Sequence, residues 1–231
     1  YISMKILKYP LFIDKLGKVI IRIPILSSDK LVFKGILEFP PLAIATGATT
    51  FITGRSGSGK STLCKLFNGI YSPDAGEIYY KGNAISKLDT IALRREVLLV
   101  SQSVFLFAGT IKENFAAFYD YRELPIISEA TIVRFFQLCC ADFSLHASCN
   151  TMSGGERQRI YLAIFLSFQP KVLMLDEPTS ALDSETSDRL LQRVREFAQE
   201  TAMTLLIISH DPSLASKYGD WIIDLEQEGK L

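Results

Sequence analysis

The chain has 231 residues and 48% hydrophobic content, enough for one large domain with a buried core, and 25 Lys and Arg balance 25 Asp and Glu. This balance favours neither nucleic acid nor an anionic membrane, so we expect no nucleic-acid partner. The four cysteines lack C-x-x-C spacing, so we expect reduced thiols. No apolar run is long enough to span a bilayer and the start lacks a secretory signal pattern, so we expect a cytoplasmic location.

The N-terminal third predicts a small antiparallel sheet. Residues 18–24, 31–39 and 77–80 are short β-prone stretches, and turn residues such as Lys81-Gly82-Asn83 separate them. We therefore expect an antiparallel β subdomain over about 1–48 and 76–86.

A phosphate-binding pattern follows. The run Gly54-Arg55-Ser56-Gly57-Ser58-Gly59-Lys60-Ser61-Thr62 fits G-x-x-x-x-G-K-[ST], with a β-prone stretch before it and a helical pattern after it. Backbone N–H groups of this phosphate loop and the start of the helix converge on phosphate oxygens. The charge of Lys60 suits the β- and γ-phosphates, and the Ser61 hydroxyl suits Mg²⁺. A plain surface turn, the alternative, needs neither the lysine nor this context.

Later apolar runs indicate an α/β domain. The runs 97–100, 172–175, 205–208 and 221–223 are mostly continuous, as in parallel strands covered on both faces, and helical patterns lie between them. Residues 184–200 have helical spacing, with Asp183 or Ser184 as N-cap. We expect the core over about 49–75, 87–102 and 153–231. The intervening residues 103–152 read as a helical insertion with candidate helices over 110–118 and 128–140.

Two acidic residues end one of these strands. Asp176 and Glu177 follow the run 172–175, and the carboxyl ends of parallel strands line the crevice where α/β sheets bind ligands. Asp176 is placed to hold Mg²⁺ through water, and Glu177 to orient or deprotonate a water that faces the γ-phosphate. Alone this pattern also fits a solvated strand end, and the phosphate loop decides between the two interpretations.

The segment Ser153-Gly154-Gly155-Glu156 adds a second anion site. Ser153 and Glu156 form an S-x-x-E capping box, which explains both of them. It does not explain two glycines in a first helical turn, where each costs about 1 kcal/mol against alanine. Close approach of a phosphate to the helix start is one explanation. Because the chain already has a phosphate loop, this interpretation predicts a nucleotide shared between two copies.

In these motifs the chain resembles the nucleotide-binding subunit of an ABC transporter. The phosphate loop is similar to the family's Walker A, Gln102 to its Q-loop, and Ser153 to Glu156 to its signature. Asp176 and Glu177 resemble Walker B and the catalytic glutamate. Ser180-Ala181-Leu182-Asp183 resembles the D-loop, and His210 the switch histidine. The resemblance implies a P-loop NTPase fold: an α/β RecA-like parallel core, an N-terminal antiparallel β subdomain and an inserted α-helical subdomain.

The resemblance also implies a mechanism and site residues. ATP would be hydrolysed at composite sites of a head-to-tail dimer, either with a second copy or with a homologous subunit. The implied catalytic residues are Glu177, His210, Lys60 and Gln102, and Mg²⁺ would be held by Ser61, Gln102 and Asp176. Nucleotide contacts would come from Gly54, Arg55, Ser56, Gly57, Ser58, Gly59, Lys60, Ser61 and Thr62, and across the dimer from Ser153, Gly154, Gly155 and Asp183.

Transmembrane permease subunits are the other implied partners. They would hold the protein at the inner face of the membrane, docking on the segment from Phe105 to Ile111, whose alternative role is core of the insertion. The segment from Phe105 to Asn114 resembles exporter-type subunits, including those of metal efflux. A non-transport ABC ATPase, acting in cluster assembly or on DNA or ribosomes, and a small-molecule P-loop kinase are the alternative functions.

The chain departs from the family pattern in its signature, at the adenine-stacking position and in the unusual pair Pro40-Pro41 before Gly47. Met152 and Glu156 replace the usual Leu and Gln of the signature, which leaves the phosphate-facing Ser153 and glycines unchanged. The aromatic residue that stacks on adenine should fall near residues 26–30, where this chain has none, and Phe33 is only close to that position.

Overall fold

A computed structural model describes residues 11–13, 19–21 and 24–225. The strands within them are β1 Leu11–Ile13, β2 Val19–Ile21, β3 Pro24–Ser28, β4 Leu31–Phe33, β5 Leu37–Phe39, β6 Leu42–Ala45, β7 Thr49–Thr53, β8 Ile78–Tyr80, β9 Asn83–Ala84, β10 Val97–Val100, β11 Val172–Asp176, β12 Thr204–Ile208 and β13 Trp221–Asp224. The helices are α1 Lys60–Phe67, α2 Thr90–Glu96, α3 Ile111–Tyr121, α4 Glu129–Leu138, α5 Gly154–Ser167, α6 Ser184–Glu200 and α7 Pro212–Tyr218.

The central sheet is parallel and five-stranded, in the order β10-β11-β12-β7-β13. All five residues of β11 and of β12 are buried, as expected for strands covered on both faces. Val172 and Met174 pack on the side of α1 and the small antiparallel strands, whereas Leu173 and Leu175 pack on the side of α5 and α6. The fold class expected from the sequence, an α/β P-loop NTPase fold, is confirmed.

The antiparallel strands of the described residues form three sheets, one of which is the pair of β1 and β2. β6, β3, β8 and β9 form one sheet, and β4 pairs with β5 in a separate hairpin. The single strand expected over 31–39 is therefore wrong, because Lys34 (φ 53°) and Gly35 (φ 60°) turn the chain back. The range expected as one strand over 18–24 contains all of β2, Val19–Ile21, and the first residue of β3, Pro24–Ser28. Residues 18, 22 and 23 lie outside the described residues.

The helical insertion carries both of its expected helices. Thr110 and Ser128 cap α3 and α4 by accepting backbone hydrogen bonds from Glu113 and Thr131. The helices pack against α5 through Phe115, Phe136 and other buried side chains of the larger hydrophobic core.

The cysteines are free thiols, three of them buried and Cys140 partly exposed. Burial raises the pKa of the Cys64 and Cys139 thiols above the usual range. Across the part of the chain that the structure describes, we find no helix with the length and apolar character required to traverse a lipid bilayer.

Candidate functional site

Four strands of the parallel sheet deliver the candidate residues to one edge. β7 ends at Thr53 and leads into the phosphate loop, and β11 ends at Asp176. β10 and β12 end just before Gln102 and His210. Because parallel strands share their direction, these carboxyl ends meet at the same edge. The in-register pair of Asp176 with Ile208 fixes the alignment of β11 and β12 there.

The phosphate loop folds around its own lysine. Lys60 is the first residue of α1 and only 5% exposed, and its Nζ donates hydrogen bonds to the carbonyls of Gly54 and Arg55, both at 2.8 Å. The ammonium group is therefore held inside the loop. The first backbone N–H groups of α1 have no carbonyl partner within the helix, which makes the helix start a site for an anion.

Gly59 connects the phosphate loop to the β4–β5 hairpin. Its φ is 91°, and a Cβ at this position would lie 2.9 Å from Phe39 Cζ and 3.1 Å from Leu37 Cδ1. Glycine is thus required twice, by the left-handed backbone and by the close contact. Sequence reasoning missed this role of Phe39 and Leu37, because the hairpin lies far from the loop along the chain.

Asp176 and Ser61 form the candidate metal site. Asp176 is 6% exposed, and its carboxylate accepts a hydrogen bond from the Ser61 side chain. Burial raises the pKa of Asp176 above its usual range, the Ser61 hydrogen bond lowers it, and the charge of Glu177 raises it again. Its Oδ1 atom is buried without a hydrogen-bond partner among the described residues. A buried carboxylate oxygen without a donor suits a hard cation.

The structure brings Gln102, Glu177 and His210 together. Gln102 Nε2 donates a hydrogen bond to Glu177 Oε2 at 3.0 Å, and His210 Nε2 lies 2.9 Å from Glu177 Oε1. Both oxygens of the carboxylate are therefore oriented by groups from two other strand ends. A carboxylate held in this way at the edge that carries a phosphate loop has the chemistry to act as a general base toward a water molecule.

The start of α5 forms the expected capping box. Ser153 Oγ accepts a hydrogen bond from the Glu156 N–H at 3.3 Å, and Glu156 Oε2 accepts one from the Ser153 N–H at 2.8 Å. These bonds lower the pKa of the Glu156 carboxyl. Glu156 therefore caps the start of α5 at the position where the signature usually has glutamine.

The two glycines of this segment have different surroundings. A Cβ on Gly155 would lie 2.7 Å from the Ala181 carbonyl oxygen, whereas one on Gly154 would meet nothing within 4 Å. Close packing on the segment after Glu177 therefore explains why position 155 is a glycine. Only Gly154 needs the explanation that a ligand approaches the helix start. Asp183 caps α6 by accepting hydrogen bonds from the N–H and hydroxyl of Thr186.

The segment from Phe105 to Ile111 divides into core and surface. Leu106 and Ile111 are buried, whereas the Phe105 side chain is 57% exposed. Phe107 contacts Phe105 edge-on at 4.9 Å and stacks on Tyr121, which is 77% exposed, at 5.9 Å between ring centroids. Phe105, Phe107 and Tyr121 form what we call the aromatic patch.

No aromatic ring of the described residues occupies the position where an adenine-stacking residue is expected. Leu26 is fully buried in β3, and Phe33 is largely buried and stacks on Tyr71 with ring centroids 5.1 Å apart. The Phe33 ring thus already has a partner on one face, and the described residues 26–30 carry no aromatic ring.

Comparisons with known proteins place the chain among cassette ATPases. A family model described as "ABC transporter" matches residues 40–180. The methionine import ATP-binding protein MetN of Brucella abortus is 35% identical over 193 residues, which is 80% of this chain and 52% of that protein. A probable sulfate/thiosulfate import ATP-binding protein CysA of Chlorella vulgaris is 33% identical over 192 residues, covering 82% of this chain and 80% of that protein. The chain spans about half the length of the MetN relatives.

A solved structure agrees with these relatives. The structure of a bacterial Atm1-family ABC exporter with ATP bound has a TM-score of 0.79 and 29% sequence identity. The match covers 96% of this chain and 39% of that one.

Proposed function

This chain belongs to the ABC transporter family, and from that premise we propose that it hydrolyses ATP in a head-to-tail dimer to drive transport by membrane partners. The observation that carries the proposal is the Glu177 carboxylate, held by Gln102 at 3.0 Å and His210 at 2.9 Å at the sheet edge that carries the phosphate loop. The relative with ATP bound and the two import ATP-binding proteins support it. Family membership removes the small-molecule kinase alternative, and the relatives' names favour transport over a non-transport role.

Each residue has a defined task in this proposal. Lys60 binds the β- and γ-phosphates, and backbone N–H groups of residues 54–62 bind their remaining oxygens. Glu177 takes a proton from the attacking water, while His210 and Gln102 hold its carboxylate in place. Ser153 and Gly154 contact the nucleotide on the other copy, and Asp183 lies near that junction. The relatives include both import proteins and an exporter, so the proposal includes no direction of transport.

Mg²⁺ fits the oxygen donors at this edge. We propose Ser61, Asp176 and Gln102 as the residues that hold it, on the evidence of the unpartnered buried Asp176 Oδ1. Among the described residues no three His, Cys, Asp or Glu side chains cluster for a metal, so phosphate oxygens and water would complete the coordination. When bound, the ion would neutralise charge on the β- and γ-phosphates.

The shared nucleotide site is tested at Ser153. We expect Ser153→Arg to leave ATP binding to each monomer intact and to abolish turnover, because the arginine would occupy the space of the other copy's phosphates. Fluorescent-nucleotide titration and phosphate release measure the two effects. Mixed with Lys60→Ala protein, it should recover at most one working site per dimer.

A matched control separates this effect from loss of a helix cap. Ser128→Arg removes the equivalent N-cap serine of α4, which also accepts a backbone hydrogen bond three residues on. Both variants lose about 1 kcal/mol of stability, and only Ser153→Arg should lose turnover. Normal hydrolysis by Ser153→Arg would disprove the shared site.

The aromatic patch is the surface that we propose for the permease. Aromatic rings are enriched in protein interfaces, and in this patch the Phe107 ring contacts both Phe105 and Tyr121. We expect the double change Phe105→Ser and Tyr121→Ser to reduce the amount of integral membrane protein that co-purifies in the intact complex. Val133→Ser, at a 39% exposed apolar residue of α4, is the control and should not reduce it. Equal recovery from both proteins would place the permease elsewhere.

A further inference from the structure

The side chain of Gln158, in α5, forms a hydrogen bond with the backbone of Glu177. It lies in the second turn of α5 and is 6% exposed, and its Nε2 donates a hydrogen bond of 3.0 Å to the Glu177 carbonyl. We propose that Gln158 is a positioning residue for ATP hydrolysis: it fixes the Glu177 peptide so that the carboxylate faces Gln102 and His210. This inference rests on the proposed function and adds a residue to it.

The Glu177 peptide needs to be held because its conformation is unfavourable. Its φ is 52°, in the left-handed region that residues with a Cβ seldom adopt. Its N–H donates to the Ile208 carbonyl at 3.1 Å. A return to the usual negative φ would swing the side chain away from the 2.9–3.0 Å contacts with His210 and Gln102.

Gln158 forms a hydrogen bond with the Glu177 carbonyl from a different element, α5. The Glu177 carbonyl also accepts hydrogen bonds from the Ser180 N–H at 3.3 Å and Ser180 Oγ at 3.1 Å, which belong to the local turn. Within the described residues, the Gln158 amide is the donor that reaches it from another element. Gly155 packs on Ala181 in the same segment. The first turns of α5 and the segment after Glu177 therefore form one packed unit.

The amide group of Gln158 reduces the stability of the folded state. Its Oε1 atom is buried and has no hydrogen-bond partner in the described part of the chain. A buried oxygen without a partner destabilises the folded state, and an apolar side chain of the same size would avoid this penalty. The packing of α5 alone would thus favour leucine or methionine. The hydrogen bond to Glu177 is the contact that only the amide supplies.

The test is a double-mutant cycle with the 231-residue chain. We expect Gln158→Leu to lower kcat for ATP hydrolysis at least about tenfold while KM for ATP stays within about twofold, since the side chain touches Glu177 and not the nucleotide. In a Glu177→Gln background the same change should lower the residual rate by less than about threefold. Non-additivity of this kind shows that Gln158 works through Glu177.

Controls separate positioning from general stability. Ser167→Ala removes a buried hydroxyl on the same helix that hydrogen-bonds Tyr119, and it should leave kcat unchanged although thermal unfolding shifts. If Gln158→Leu does not fold, Gln158→Met replaces it in the same cycle. Equal kcat in wild type and variant, or additive losses with Glu177→Gln, overturns the inference. Failure of the unsubstituted chain to hydrolyse ATP in its complex would instead overturn the proposed function.

Discussion

Lys60→Ala should abolish ATP hydrolysis and weaken nucleotide binding by at least about tenfold, because a hydrogen bond to a charged group contributes about 1.5–3 kcal/mol. The Lys60 ammonium is held by two carbonyls of the phosphate loop at 2.8 Å, so its position is set before nucleotide arrives. Preorganisation of this kind avoids the cost of ordering a long side chain at the moment of binding. Titration with a fluorescent ATP analogue, together with a phosphate-release assay, measures both losses.

The result depends on a control for loss of a lysine. Lys112→Ala removes an exposed lysine whose partner is Glu129 at 2.7 Å, and it should change stability by at most about 1 kcal/mol. It should leave nucleotide affinity and turnover as they are. Near-normal turnover of Lys60→Ala would show that the run 54–62 does not bind the phosphates.

The parallel sheet and its functional edge could be predicted from the sequence because burial on both faces leaves a clear pattern. Continuous apolar runs such as 172–175 are typical of parallel strands that are buried on both faces. The phosphate loop with its following helix supports this interpretation because it belongs to the same kind of α/β sheet. Asp176 ends β11, Glu177 follows it, and His210 lies two residues after β12, so the direction of the strands is enough to place all three at one edge. The prediction therefore depended on the position of these residues after the strands and not on their local secondary-structure propensity.

The antiparallel strands were harder to predict because short strands carry little pattern. The stretch 31–39 is apolar at both ends, and its only sign of a turn is Lys34-Gly35, which lacks the usual Asn-Gly or Asp-Gly chemistry. β6 begins directly after Pro40-Pro41, a pair that argues against a strand. The strand tolerates it because the prolines precede the first paired residue, Leu42.

Roles that depend on contacts between distant segments were not visible in the sequence. The sequence alone suggests that the glycine at position 155 leaves space for a phosphate, whereas the structure shows that it packs on Ala181. Gln158 in a helix has the appearance of an ordinary polar surface residue, and only the packing of α5 against the end of β11 brings it to Glu177. Helical periodicity contains no information on which strand end a given side chain meets.

Glu177→Gln should stop hydrolysis without stopping ATP binding. The change keeps the size of the side chain and removes its charge and basicity, and loss of a general base costs about 10²–10⁴ in rate. The glutamine oxygen can still accept the hydrogen bond from Gln102, and the amide group has nearly the same shape as the carboxylate that His210 contacts. The local arrangement should therefore survive, which distinguishes this variant from one that merely misfolds.

Trapped ATP should then hold two copies of Glu177→Gln together. Each nucleotide would be bound by the phosphate loop of one copy and by Ser153 and Gly154 of the other, so closure persists as long as the γ-phosphate is present. Size-exclusion chromatography with light scattering should show a dimer with ATP and Mg²⁺ and a monomer with ADP. Glu123→Gln, an exposed carboxylate paired with Arg95 at 2.8 Å, should hydrolyse ATP and remain mostly monomeric. If Glu177→Gln is monomeric under both conditions while ATP is bound, closure around a shared nucleotide is not how this chain works, because an unhydrolysed γ-phosphate would then fail to join the two copies.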